Sequence, residues 1–370
     1  MRVLITGADG FIGKNLSVRL SEMREFDVST FNRGETIEAL RLKVNHADAV
    51  VHLAGVNRPS DPAEFFSGNA ELAETVCQSI RDSGRPIPLL LASSTQATDA
   101  NPYGSSKRQA EMAALKLAQD TGNPVSLFRL PNVFGKWCKP NYNSVVATFC
   151  HNIANHLPIQ INDTSRLLNL VYIDDVVVAL INSIMSQPAG IVWPEIQPVY
   201  QITLGELAEQ ISRFSQDRRE LLTDRTGFGF TRALYATYIS YLPKEEFSYL
   251  IPSHSDQRGT FVEMLKTRDS GQFSFLTARP GVTRGGHYHH TKTEKFLIIK
   301  GSARFGFKHI LTNETFELSC SDQEYKIVET IPGWAHDITN VGDDDLIVML
   351  WSNEVFDAQK PDTISMKASI

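Results

Sequence analysis

A short apolar run, Arg2–Thr6, leads straight into Gly7-Ala8-Asp9-Gly10-Phe11-Ile12-Gly13, and a helical pattern, Phe11–Ser21, follows without a break. Few backbones satisfy this order. Gly7 permits a tight turn, Gly10 leaves room for a phosphate to approach the main chain, and Gly13 lets the helix lie against the strand. Phosphates would then meet the free N–H groups of Phe11, Ile12 and Gly13 at the helix start. The expectation is a strand–turn–helix unit that binds a dinucleotide.

The pattern beyond the turn extends that expectation. Further strand candidates are Phe26–Phe31, Ala49–Ala54, Pro88–Ser93 and Val125–Leu130. Between and after them lie the helix candidates Glu71–Asp82, Tyr103–Thr121, Asp174–Met185 and Leu204–Phe214. Apolar strands alternating with helices predict a doubly wound parallel sheet of Rossmann type, covered on both faces. After Tyr241 the character changes. LPKEEFSYLIPSHSDQRG reads as a boundary, and the runs beyond it are short and β-like: Gly259–Leu265, Gln272–Ala278, Lys295–Ile299, Ala303–His309, Glu314–Leu318, Tyr325–Glu329 and Leu346–Trp351. A small all-β barrel or sandwich is expected there. The division is placed at residues 1–243 and 244–370.

Composition excludes several function classes. A net charge of −6 argues against a general nucleic-acid binder, which needs a basic surface to neutralise phosphates. No apolar run is long enough to span a membrane, and no signal segment is evident at the start, so a cytoplasmic protein is expected. The four cysteines are scattered without a C-x-x-C pair and read as free thiols.

Two candidate sites emerge. In the first, Ser93-Ser94-Thr95 ends a strand, and Tyr103 and Lys107 share one helix face four residues apart. A nearby ammonium lowers a phenol's pKa, so Tyr103 can exchange a proton near neutral pH, with Ser94 or Thr95 holding the substrate oxygen. Asn32-Arg33 follow the second strand. Arginine suits a 2′-phosphate, which favours NADP(H); a solvated loop charge is the plain alternative.

In the second site, His287 and His289 alternate onto one side of a strand, Glu294 follows across a turn, and His336 comes from a later β segment. Three imidazoles and a carboxylate suit zinc, iron, manganese, nickel or copper. His290 competes with His289 if a bulge intervenes.

The first set of residues resembles the extended short-chain dehydrogenase/reductase family. TGADGFIG and YGSSK match its glycine turn and its Y-x-x-x-K pair; ADAVVHLAG, Asn69, RLPNVFG and LVYIDDV fall in order. The resemblance spans about residues 1–240. It implies a nucleotide-sugar substrate, cofactor contacts at Gly7, Gly10, Phe11, Ile12, Gly13, Asn32, Arg33, Leu53, Ala54, Tyr103 and Lys107, and substrate contacts at Asn132 and Arg166.

The second set resembles the cupin family, through Gly281, His287, His289, Glu294 and Gly301, then His336 and Asn340. It implies a jelly-roll barrel over about residues 248–360. Asp256–Glu263 and Arg284–His287 are further similar to segments of deoxysugar 3,5-epimerases, cupins in which that histidine removes a proton α to a 4-keto group. His287 is thus catalytic base or metal ligand.

The whole order, reductase then cupin, resembles the bifunctional capsular-polysaccharide enzymes that make UDP-N-acetyl-L-talosamine. That implies C3 epimerisation, then NADPH-dependent C4 reduction, of a UDP-2-acetamido-2,6-dideoxy-4-keto-hexose, with zinc as the metal and a homodimer as the assembly. The competing reading is a single-activity 4-ketoreductase whose cupin is a metal-stabilised dimerisation module.

Overall fold

The computed structural model describes residues 1–359 and 361–368. The chain forms two compact units. The first holds residues 1–212 and 227–243, the second residues 213–226 and 244–370.

The first unit is built on a six-stranded parallel sheet. Its order is Asp27–Phe31, Arg2–Thr6, Ala49–His52, Leu89–Ser94, Val125–Leu130 and Ile191–Val192. Strands two to five are buried almost throughout because helices cover both faces, with Arg2 and Arg129 the exposed positions. Val3, Leu4, Ile5, Val50 and Val51 are fully buried. Order reverses beside the first strand: the chain runs outward to Asp27–Phe31, then returns to Ala49–His52 on the other side. Such a switch opens a crevice at the carboxyl ends of the strands, where Gly7 and Leu53 lie.

The helix Pro102–Thr121 starts where its sequence dictates. Asn101 caps it by accepting the Gly104 N–H at 2.7 Å, Pro102 fills the first turn, and Gly122 ends it with a positive φ of 74°. The observed bounds move expected elements by one or two residues in most cases, and Phe11–Ser21 is unchanged. Leu204–Arg219 runs five residues beyond its expected end. Helices Ile37–His46, Val145–Ala154 and Gly229–Ile239 have no counterpart in the expectation, nor does a separate three-stranded sheet, Asn132–Phe134, Leu167–Tyr172 and Tyr200–Thr203.

The second unit is mostly antiparallel, in two sheets. One runs Leu222–Thr223, Gly259–Thr267, Gln272–Ala278, Leu346–Ser352, Glu294–Lys300 and Ile327–Glu329, with His254–Asp256 paired at the side of Gly259–Thr267. The other runs Thr315–Ser321, Ser302–His309, Trp334–Asn340, Thr283–Tyr288 and Ile364–Ser365. Inward residues alternate along Gln272–Ala278 and Leu346–Ser352. Leu276, Phe296, Val348 and Leu350 from the first sheet meet Phe305, Phe307 and Ile338 from the second in one core. Residues 213–226 join this unit through the parallel pairing of Leu222–Thr223 with Lys266–Thr267 and through the Arg225–Asp269 ion pair. All four cysteines are free and buried.

The Thr6 hydroxyl and His52 Nδ1 meet at 2.6 Å inside the parallel sheet. Burial, with the Lys107 charge adding to it, pushes the His52 pKa down to about 3. The unfolded chain therefore takes up a proton near pH 6.5 that the folded chain refuses until about pH 3. Stability from this group is complete above pH 6.5 and is lost as pH falls toward 3. Chemical denaturation across that window should show a falling unfolding free energy, with a shallower slope for His52→Gln.

Candidate functional site

The glycine turn is set by close contact. A Cβ on Gly7, whose φ is +72°, would lie 2.7 Å from the Ala54 backbone; one on Gly13 would lie 2.3 Å from the Gly7 carbonyl oxygen. Gly10 N–H donates to the Gly7 carbonyl at 3.0 Å, and the helix that follows has no side-chain cap. Its first N–H groups therefore point free at the end of the strand crevice. Leu53 N–H donates to Thr6 O and Ala54 N–H to the Thr6 hydroxyl, so both residues border the turn. Asn32 joins them by accepting the Asp9 N–H at 3.3 Å, and Arg33 is exposed. Glu35, two residues on, is occupied by Lys43 and the Asn32 N–H. These residues fit a dinucleotide: room at the glycines, free donors for its phosphates and no side chain in the way.

Tyr103 and Lys107 stand one turn apart on Pro102–Thr121, both largely buried. Lys107 Nζ donates to Ala92 O at 2.9 Å. Gly55 lies in ordinary contact range of that ammonium, and its missing side chain leaves room for the Asn69 amide, whose oxygen a Cβ there would meet at 2.7 Å. Burial lowers the Lys107 pKa to about 8, against the pull of Glu111. One turn further, Glu111 is itself buried, bonded by Ser93 at 2.6 Å and by Arg129 at 2.9 and 2.7 Å.

The expected lowering of the Tyr103 pKa is corrected here. Burial raises it, and the opposing influence is a hydrogen bond with Ser94, because the Lys107 ammonium is engaged by the Ala92 carbonyl. Ser94 is buried beside Tyr103, whereas Thr95 is exposed and starts a 3₁₀ turn. Asn132 and Arg166 are both exposed; Asn132 belongs to the small sheet and Arg166 lies just before one of its strands. Asn132 pairs with Leu170, and Arg166 immediately precedes the strand Leu167–Tyr172 that contains Leu170.

In the second unit, His287, His289, Glu294 and His336 converge, with one ligand-type atom from each within 4.8 Å of the others. A bulge builds this arrangement. Gly285 pairs with Asp337 but His287 pairs with His336, so Gly286 is the extra residue. Gly285 and Gly286 have φ of 88° and 77°, values that only glycine adopts freely. Because the bulge precedes His287, alternation holds from there on. His289 is 1% exposed and turns into the cluster; His290 turns outward, edge-on to the Tyr288 ring.

Glu294 Oε2 lies 3.3 Å from both His289 Nε2 and His336 Nε2. Its other oxygen, Oε1, is held by Lys292 at 3.1 Å. Despite its burial this carboxyl is held well below the usual carboxylate range, with the Lys292 ammonium among the groups that lower it. The His336 nitrogens, though buried, have no aligned hydrogen-bond partner. His289 Nδ1 meets the Asp362 carbonyl, which can only accept, so in its neutral form Nε2 presents a lone pair toward Glu294. A lone pair facing a carboxylate, beside an orphaned imidazole, is the arrangement a cation completes. These four residues fit a divalent metal.

His287 is the part-exposed member, its ring 4.7 Å from that of His336. Burial and then the two neighbouring imidazoles press its pKa down to about 4. It lines a cavity of about 250 Å³ together with Arg258, Arg284, Phe305 and Asp337. Two guanidinium groups in the lining suit an anionic ligand, although Arg258 is also paired with Asp256 at 2.6 Å and Arg284 donates to the Thr277 carbonyl at 2.9 Å. The sequence alone does not single out Lys292, Asp337, Asp362 or Glu111. Lys292 and Glu294 share strand parity, a signal that could have joined them; Asp362 lies about 70 residues away and leaves none.

Residues 3–193 match the NAD dependent epimerase/dehydratase family, and residues 254–364 match the polysaccharide biosynthesis C-terminal domain. A UDP-2-acetamido-2,6-beta-L-arabino-hexul-4-ose reductase from Pseudomonas aeruginosa is 56% identical over 363 residues, 98% of each chain. The crystal structure of the capsular polysaccharide assembling protein CapF from Staphylococcus aureus has 40% identity and a TM-score of 0.92, over 99% of this chain and all of that one. A UDP-glucuronic acid 4-epimerase from Bacillus cereus, bound to UDP-glucuronic acid and NAD, shares the fold alone at 15% identity, with a TM-score of 0.57 over 65% of this chain and 99% of that one. By its match over half its length and by its full-length relatives, this chain belongs to the NAD dependent epimerase/dehydratase family, with a polysaccharide biosynthesis domain at its C-terminal end.

Proposed function

We propose that the protein is a cytoplasmic, bifunctional, homodimeric enzyme of capsular polysaccharide synthesis. Its second unit, read as a cupin barrel, epimerises C3 of a UDP-2-acetamido-2,6-dideoxy-4-keto-hexose. Its first unit then reduces C4 with NADPH, giving UDP-N-acetyl-L-talosamine, a precursor of N-acetyl-L-fucosamine. The domains are residues 1–243 and 244–370 apart from the segment 213–226. Among the described residues no helix is long and apolar enough to cross a membrane. The reductase half rests on the 56% identical relative, whose name specifies a 4-ulose reductase. The observation that carries the epimerase half is His287, the part-exposed imidazole of a buried cluster, facing a cavity walled by two arginines.

When bound, the nicotinamide would supply the hydride, and the metal, read as zinc, would supply the positive charge that favours an enolate. The chain's own residues do the rest. A 4-keto group acidifies the proton at C3, so a neutral imidazole at His287 can remove it. Arg258 and Arg284 are suited to hold the diphosphate. His289, Glu294 and His336 would hold the metal; His287 is either a further ligand or the base, since one nitrogen cannot do both. Epimerisation precedes reduction, because reduction removes the ketone that makes C3 acidic. At C4, Tyr103 delivers the proton and Ser94 or Thr95 orients the oxygen. Lys107, with Asn32 and Arg33, holds the cofactor ribose and its phosphate. Asn132 and Arg166 are assigned to the nucleotide sugar.

The printed name of the relative specifies reduction alone, which favours a second reading: a 4-ketoreductase whose second unit only binds metal and pairs subunits.

Proton NMR of the 4-keto substrate in D₂O without NADPH separates the two. Deuterium should enter at C3, and His287→Ala should slow that entry at least ~100-fold, the low end for a general base. Entry at an undiminished rate in His287→Ala would leave the reductase-only reading. Metal content of the same variant assigns the duty of His287: full retention marks a base, loss a ligand.

Tyr103→Phe should lower kcat for NADPH oxidation by ~10²- to 10⁴-fold while leaving C3 exchange intact. Because the free enzyme loses the Lys107 charge near pH 8, kcat/KM for reduction should fall as pH rises through about 8, and stopped-flow rates against pH will show that limb.

A further inference from the structure

We infer that the C-terminal segment Asp362–Ala368 is a positioning latch for the histidine cluster, with Asp362 as its catch. This rests on reading the cluster as a metal site. Asp362 acts through both of its acceptor groups. Its main-chain carbonyl meets His289 Nδ1, which fixes the ring and leaves Nε2 directed at Glu294. Its carboxylate accepts the His290 N–H at 2.9 and 3.1 Å, the Thr291 N–H at 2.7 Å, the Thr291 hydroxyl at 3.0 Å and the Lys292 N–H at 2.9 Å. One carboxylate thus gathers three successive amides of the turn that joins His289 to Glu294.

The residues after Asp362 keep the catch in place. Ile364–Ser365 form the edge strand of the second sheet, pairing Ser365 with His287 and Ile364 with Tyr288. Met366 N–H donates to Gly286 O at 2.9 Å, at the bulge itself, and Ala368 is buried. The latch therefore grips the backbone at Gly286 and His287, the His289 ring, and the turn from His290 to Lys292. Lys292 in turn holds Glu294 Oε1. Partners that hold a ligand imidazole by its distal N–H fix tautomer and orientation, and losing such a partner typically weakens metal binding about 10- to 100-fold.

The test uses the full-length protein with Zn²⁺ and Co²⁺ as probes. Asp362→Ala keeps the carbonyl that meets His289 but loses the carboxylate that places it, so chelator competition should show it binding Zn²⁺ about 10-fold more weakly than wild type, the low end for a lost ligand partner, with an altered Co²⁺ d–d spectrum. In the metal-free protein, hydrogen exchange at the amides of 290–292 should accelerate in Asp362→Ala, because those N–H groups lose their acceptor. Asp362→Asn keeps the side-chain shape and one carbonyl acceptor, and should fall between the two; it also serves if the alanine variant does not fold. Unchanged Zn²⁺ affinity and unchanged exchange in a folded variant would overturn the latch. A wild type that binds no Zn²⁺ yet shows the exchange difference would overturn the metal reading and leave the latch standing.

Discussion

Glu294 is a carboxylate shut inside a β-sandwich, and the second unit is organised around making that tolerable. An isolated buried charge costs far more than a domain can spare, so it must be met by charges or donors in fixed places. Lys292 meets one oxygen, and His289 and His336 close on the other. They come from two stretches of backbone, which ties the turn after Thr283–Tyr288 and the strand Trp334–Asn340 to one point, the start of Glu294–Lys300. The glycine bulge at 285–286 is the backbone's accommodation to that point.

The first unit depends on an opposite device, the exclusion of side chains. Gly7 lies against Ala54, and Gly13 against Gly7, at separations that a single methyl group would violate. What this leaves open is a row of unpaired N–H groups. The same logic recurs near Lys107, where Gly55 leaves room for the Asn69 amide, while Glu111, anchored by Ser93 and Arg129, balances the buried ammonium from the next turn. One unit therefore recognises its ligand by vacated backbone and the other by converging side chains.

Much of this was legible in the sequence because it is local. Buried parallel strands are mostly apolar short runs, so Arg2–Thr6 and Val125–Leu130 appear at their observed bounds, and the glycine turn carries its own spacing. The four cluster residues were legible through strand parity and a short turn. The helix Ile37–His46 was not, because just Leu40 and Val44 are buried and the stripe is too thin to stand out. The behaviour of Tyr103 was not, because a side chain four residues away can turn to a carbonyl instead. Asp362 was not, because a contact across about 70 residues leaves no periodic trace.

The order in which the chain visits its two units has a consequence for synthesis. Residues 213–226 belong to the second unit, while the helix Gly229–Ile239 returns to the first. The strand Leu222–Thr223 emerges from the ribosome well before Lys266–Thr267, its partner, exists. The first unit gains its last helix only after that strand has been made. A gene fusion that simply abutted a complete reductase and a complete barrel would not give this path. Any attempt to express the barrel alone from residue 244 removes a strand from its sheet and bares Lys266–Thr267 at its edge.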